Sequence, residues 1–113
     1  EVIAYTREAG MVSIPGALTA TEALTAHRAG ADYVKLFPAA MLGPAYLKAL
    51  RAPLNHIRFL AVGGIDEKNM AAYLQAGAAG VGVGGCLVKQ QWIQEGRFAE
   101  LTALAKEFCQ AIQ

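Results

Sequence analysis

Cysteine is almost missing from this sequence: Cys86 and Cys109 are the only two, one in a glycine-rich turn and one in a predicted helix. Thiols so placed suggest neither a disulfide framework nor a metal site, and both read as reduced and structural. Histidine is as sparse. His27 and His56 stand apart from each other and from any acidic cluster in the sequence, so no zinc centre, and no metal or other cofactor, is expected. An excess of charge is missing too, since ten lysines and arginines against nine carboxylates leave a formal net charge of +1. The basic residues are scattered, whereas a nucleic-acid surface needs a basic stripe. No apolar run approaches the length of a transmembrane helix, and the N-terminus lacks the regions of a signal peptide. A soluble, cytoplasmic protein with no membrane partner is the expectation. Hairpin signals are absent as well.

The sequence does contain a large apolar share, 55% of 113 residues, with 12 glycines. That balance excludes a disordered tail and lets helices and strands approach closely. The length suits one domain at most, or a piece of one.

Along the chain, Glu1 to Gly10 reads as a helix ended by its glycine. Met11 to Ile14 is a β-prone run closed by Pro15-Gly16. Thr19-Ala-Thr-Glu22 matches a capping box, and a helix continues to Ala29 and stops at Gly30. The next strand is Ala31-Asp-Tyr-Val-Lys-Leu-Phe-Pro-Ala39. Gly43-Pro44 can open a helix that runs to Pro53. Ile57 to Val62 is an apolar strand entering Gly63-Gly64, Asp66 caps a helix to Gly77, and Ala79 to Val83 enters a second diglycine, Gly84-Gly85. A short segment, Leu87 to Gln94, and an amphipathic helix close the sequence.

Ala9-Gly10, Ala29-Gly30 and Ala76-Gly77 each end a helix and lead into an apolar strand. Helix and strand alternate four times, which demands parallel strands joined by right-handed crossovers. Four such units are half of a (β/α)8 barrel; a doubly wound sheet is the alternative. The diglycines favour the barrel, because the loops after its last two strands and a short extra helix commonly hold a phosphate. Glycine there lets backbone N–H groups reach the anion, and Leu87 to Gln94 suits the extra helix.

Strand alternation puts Tyr33, Lys35 and Phe37 on one face, so an amine shares its face with two aromatic rings. Lysines on strands commonly reach solvent and bury only the stem. A lysine desolvated in such a place has its pKa lowered and becomes a nucleophile able to form a Schiff base with a carbonyl. Two diglycines at neighbouring strand ends, with this lysine one strand earlier, favour the second reading.

At Tyr33-Val-Lys-Leu-Phe-Pro38, Ala61-Val-Gly-Gly-Ile65 and Val83-Gly-Gly-Cys-Leu-Val88, with Ser13-Ile-Pro-Gly16 and Thr19, the sequence resembles the class I aldolases. These enzymes cleave 2-keto-3-deoxy-6-phosphogluconate and its galactonate and 4-hydroxy-2-oxoglutarate relatives. The resemblance implies an α/β fold, a (β/α)8 barrel of which residues 1–113 form the second half, and a homotrimer. It implies that Lys35 forms the Schiff base, that Phe37 lies near the substrate, and that Gly63, Gly64, Gly84, Gly85 and the amide of Cys86 hold the phosphate. Substrate would be a phosphorylated keto acid and pyruvate a product. The family's general-base glutamate and carboxylate-binding arginine belong to its first half. Val62 stands where the phosphogluconate branch commonly has threonine, which leans toward the galactonate or hydroxyglutarate branch, and Cys86 replaces a frequent serine. The rival readings are a barrel isomerase or phosphate synthase without imine chemistry, a nucleophilic Cys86, and a half barrel that pairs with another copy or is inactive.

Overall fold

Four short parallel strands stand side by side in the order in which they occur in the chain. A computed structural model describes residues 1–112. Its elements are α1 (Val2–Glu8), β1 (Gly16–Ala17), α2 (Ala20–Arg28), β2 (Val34–Leu36), α3 (Ala39–Arg51), β3 (Phe59–Val62), α4 (Met70–Gln75), β4 (Gly80–Gly82), α5 (Gln90–Gln94) and α6 (Phe98–Ala111). In register, Gly16 pairs with Lys35, Lys35 with Leu60, and Leu60 with Gly80. A doubly wound sheet reverses its strand order at a switch point, and this sheet does not.

Side-chain burial agrees with the topology. Val34, Leu36, Phe59 and Ala61 are at most 1% exposed and pack under the helices, whereas Lys35, Leu60 and Val62 on the other face are only half-buried. Helices therefore cover one face alone, as on the outside of a barrel wall. The core between sheet and helices takes Ala23 and Ala26 from α2, Leu47 and Leu50 from α3, and Met70 and Tyr73 from α4. Alanine on α2 lets the helix lie close to the strands. The hydroxyl of buried Tyr73 donates to the Ala39 carbonyl at 3.0 Å, tying α4 to the start of α3.

Local chemistry sets the helix ends. The capping box on α2 is complete: the Glu22 amide donates to Thr19 Oγ1 while the Glu22 carboxylate receives the Thr19 amide. Asp66 Oδ1 accepts from the amides of Lys68 and Asn69, so it caps the turn before α4 rather than α4 itself. At the far ends, Gly30 and Gly77 adopt φ of +104° and +101°, and an arginine lies across each: Arg7 of α1 over Gly30, Arg51 of α3 over Gly77. Arg7 also donates to the Gly30 carbonyl at 3.1 Å.

Three expectations need correction. The strand expected at Met11 to Ile14 is not one; the ladder begins at Gly16. Ser13 gives its N–H to the Asp32 carboxylate at 2.8 Å and Pro15 has none to give; the Ser13 carbonyl takes the amides of Asp32 and Tyr33, ahead of β2, and the Pro15 carbonyl takes that of Lys35. Pro44 does start a helical stretch, but a turn from Ala39 precedes it and bends at Gly43, where φ is +78°. Finally, His27 and His56 are not apart, because the end of α2 meets the α3–β3 loop and sets their rings edge to face at 4.9 Å. Among the described residues no group of three or more His, Cys, Asp or Glu could hold a metal ion. No described helix is long and apolar enough to cross a membrane.

Candidate functional site

The ends of β2, β3 and β4 open on two adjoining clefts, and Phe37 lines both. The larger, about 470 Å3, is also lined by Val62, Gly63, Gly64, Gly84, Gly85 and Cys86. The smaller, about 370 Å3, is lined by Lys35, Gly16, Leu18 and Glu22 among others. Six of the seven residues expected at a site thus share one cleft, and Lys35 lies next door across the Phe37 ring.

Lys35 holds its position through the strand on which it sits. Its amide donates to the Pro15 carbonyl at 2.8 Å, and its Nζ rests 4.6 Å from the centre of the Phe37 ring. Tyr33, on the same face, is occupied by Arg58, which stacks at 4.2 Å. Gly16, the partner of Lys35 on β1, has nothing within 4 Å of where a Cβ would be, so the amine is open on that side. Glu22 lines this cleft, a placement that its capping motif did not suggest. Its carboxylate accepts from the amides of Leu18 and Thr19 and from the Thr19 hydroxyl, which holds its pKa below the usual glutamate range. A carboxylate so engaged is a poor proton acceptor.

In the larger cleft the two diglycines differ physically. Gly63 and Gly64 need to be glycine for internal reasons. Their φ values are +94° and +70°, a Cβ on Gly63 would lie 2.8 Å from the Phe37 ring, and one on Gly64 would meet Ala40. Gly84 and Gly85 have ordinary φ and open space where a Cβ would go. Nothing in the fold requires them to lack a side chain, and what they leave room for lies in the cleft.

Carbonyls of the first diglycine loop are all turned to the protein. Gly63 O accepts from the Ala40 amide at 3.0 Å, Gly64 O from Asn69 Nδ2 at 2.8 Å, and Ile65 O from the Cys86 thiol at 3.0 Å. In the second loop the Gly84 carbonyl receives the amides of Leu87 and Val88, both at 2.9 Å. Among the described residues, the N–H groups of Gly63, Gly64, Ile65, Gly84, Gly85 and Cys86 have no protein acceptor. A cleft lined by such amides suits an anion with several acceptor oxygens. The segment after it forms one turn, Gly85 to Leu87, before α5, rather than a helix from Leu87. Cys86 is half-buried with its thiol spent on a carbonyl, which is no arrangement for a nucleophile.

The family model described as "KDPG and KHG aldolase" matches residues 1–104. The chain is 41% identical over its whole length to 56% of the 2-dehydro-3-deoxy-6-phosphogalactonate aldolase of Escherichia coli K12. It is 36% identical over 98% of its length to 53% of the 2-dehydro-3-deoxy-phosphogluconate aldolase of Treponema pallidum. A solved structure titled "Native KDPGal structure" superposes on all of the chain with a TM-score of 0.85 and 41% identity, over 55% of its own length. The chain therefore spans about half the length of the curated relatives it matches.

Proposed function

The chain belongs to the KDPG and KHG aldolase family, and from that premise we propose that it supplies the lysine and the phosphate cup of a Schiff-base aldolase. The substrate is a 2-keto-3-deoxy-6-phospho sugar acid or 4-hydroxy-2-oxoglutarate, and the products are pyruvate and an aldehyde, glyceraldehyde 3-phosphate for the sugar acids. One observation carries this reading: a half-buried lysine lining one cleft, Lys35, and a neighbouring cleft of free amides meet across a single ring, Phe37.

Lys35 attacks the C2 ketone, and loss of water gives an iminium. The C3–C4 bond then breaks, its electrons flow into the iminium to form an enamine, and the C4 hydroxyl loses its proton to a base. Protonation at C3 and hydrolysis release pyruvate and free the lysine. Glu22 is not assigned as that base, since three donors to its Oε2 hold its pKa below the usual glutamate range and make it a poor proton acceptor. This chain forms the second set of four βα units in the proposed barrel, and the base belongs to the first set. The phosphate on the amides of the two loops fixes the far end of the substrate, so that the scissile bond meets the lysine in one orientation. Val62 puts a methyl group where a hydroxyl would add a phosphate contact, which favours the galactonate or hydroxyglutarate branch. A trimer is in keeping with Val2, Tyr5 and Met41, apolar side chains 70–81% exposed, and the protein works in the cytoplasm.

Borohydride trapping with pyruvate tests the chemistry. Reduction should add one pyruvate-derived group to Lys35, located by peptide mass, and K35M should remain unlabelled. A full-length gene product that takes no label refutes the imine mechanism.

A further inference from the structure

We propose that Asn69 is a positioning residue for anion binding: its side-chain amide buckles the Gly64–Asp66 turn and aims the Ile65 N–H into the cleft. The inference rests on reading the diglycine cleft as a phosphate cup. Asn69 does not line that cleft, yet both ends of its amide are used on the backbone of residues that do. Nδ2 donates to the Gly64 carbonyl at 2.8 Å, and Oδ1 accepts from the Asp66 amide at 3.0 Å. A carboxamide carries a donor and an acceptor side by side on one plane, so a single short side chain can hold both groups. Asp66 returns the contact, its Oδ1 taking the Asn69 amide at 3.0 Å. Each side chain therefore holds the other's backbone.

Peptide geometry carries this hold into the cleft. Within one trans peptide unit the C=O and the N–H point in opposite directions. The Gly64 carbonyl and the Ile65 N–H belong to the same unit, so a carbonyl drawn to Asn69 sends that N–H the other way. Ile65 lines the cleft, and its N–H has no protein acceptor among the described residues. Ala40 does the same one residue earlier, drawing the Gly63 carbonyl and turning the Gly64 N–H. Asn69 is thus one of the anchors behind the first loop of the cup, beside the Ala40 amide on Gly63 and the Cys86 thiol on Ile65.

The experiment uses the full-length gene product with N69A, which removes both contacts, and N69D, which keeps the acceptor and loses the donor. KM for the phosphorylated keto acid should rise about tenfold in each, equivalent to roughly 1.4 kcal/mol. kcat, and the rate of pyruvate adduct formation at Lys35, should stay at parental values, because pyruvate carries no phosphate. A KM within twofold of the parent, or a pyruvate adduct slowed as much as phosphate binding is weakened, overturns the proposal. A measurement on the parent guards against variants that fail to fold. Inorganic phosphate should shift the amide resonances of Gly64 and Ile65, and an unmoved Ile65 amide in a protein that binds phosphate also overturns it. A parent that moves these amides but forms no pyruvate adduct upholds the role of Asn69 and sinks the aldolase reading instead.

Discussion

The same substitution, glycine to alanine, should have opposite consequences in the two diglycine loops. At Gly63 the backbone φ of +94° disfavours an L-residue by about 1–2 kcal/mol. The new methyl would also lie 2.8 Å from Cδ2 and Cε2 of Phe37 and 3.1 Å from Pro38 Cα, and overpacking of that kind costs about 1–3 kcal/mol. G63A should therefore lose roughly 2–5 kcal/mol of stability, a large part of the ~5–15 kcal/mol that holds a domain folded. At Gly84 the φ is ordinary and nothing lies within 4 Å of the added methyl, so G84A should stay within about 0.5 kcal/mol of the parent. Urea unfolding of the three proteins measures the difference, and phosphate titration of the same samples measures the site. G84A should fold as the parent does and bind phosphate at least tenfold more weakly, because its methyl occupies the cup. If G84A unfolds as readily as G63A, the packing argument is wrong. If it binds phosphate like the parent, the phosphate lies elsewhere.

Cys86 should tolerate serine, whose hydroxyl can still donate to the Ile65 carbonyl, while C86A should weaken phosphate binding two- to fivefold; both should label with pyruvate at Lys35 as the parent does, which a nucleophilic cysteine would not allow. Glu22 has a lowered folded pKa, so its contribution is complete above the ordinary glutamate value near 4.5 and disappears as pH falls through the lower folded value. Acid unfolding curves should accordingly steepen below pH ~4.5 in the parent and flatten there in E22Q. Tyr73→Phe leaves the buried Ala39 carbonyl without its donor and should destabilise by about 1–2 kcal/mol in urea. Burial raises the Tyr73 pKa, so the parent should lose stability as pH rises above 10, a loss that Y73F escapes.

Local chemistry explains what could be read from the sequence. The capping box at Thr19, the glycine stops at Gly30 and Gly77, and the strand that carries Lys35 each depend on a few adjacent residues. What escaped depends on partners far along the chain. Ser13 leaves the ladder because Asp32 takes its N–H, and His27 meets His56 through the packing of α2 against a loop nearly thirty residues on. Identical dipeptides hid a physical difference, since only packing against Phe37 and Ala40 tells why Gly63 and Gly64 are glycine and leaves Gly84 and Gly85 unexplained from within. Asn69 went unnoticed because a lone asparagine before a helix reads as an ordinary cap; only its paired contacts distinguish it.

The arginines laid over Gly30 and Gly77 have a consequence for how such a protein can change. Both glycines precede a strand, so these clamps grip the end of the sheet opposite the clefts. Rigidity is anchored at one pole and chemistry exposed at the other, with the strands between them. The second diglycine loop at the chemical pole can be recoded for another substrate while the clamps still close the helices onto their strands. A library randomised at Gly84 and Gly85 should therefore retain many folded members, and one randomised at Arg7 and Arg51 fewer.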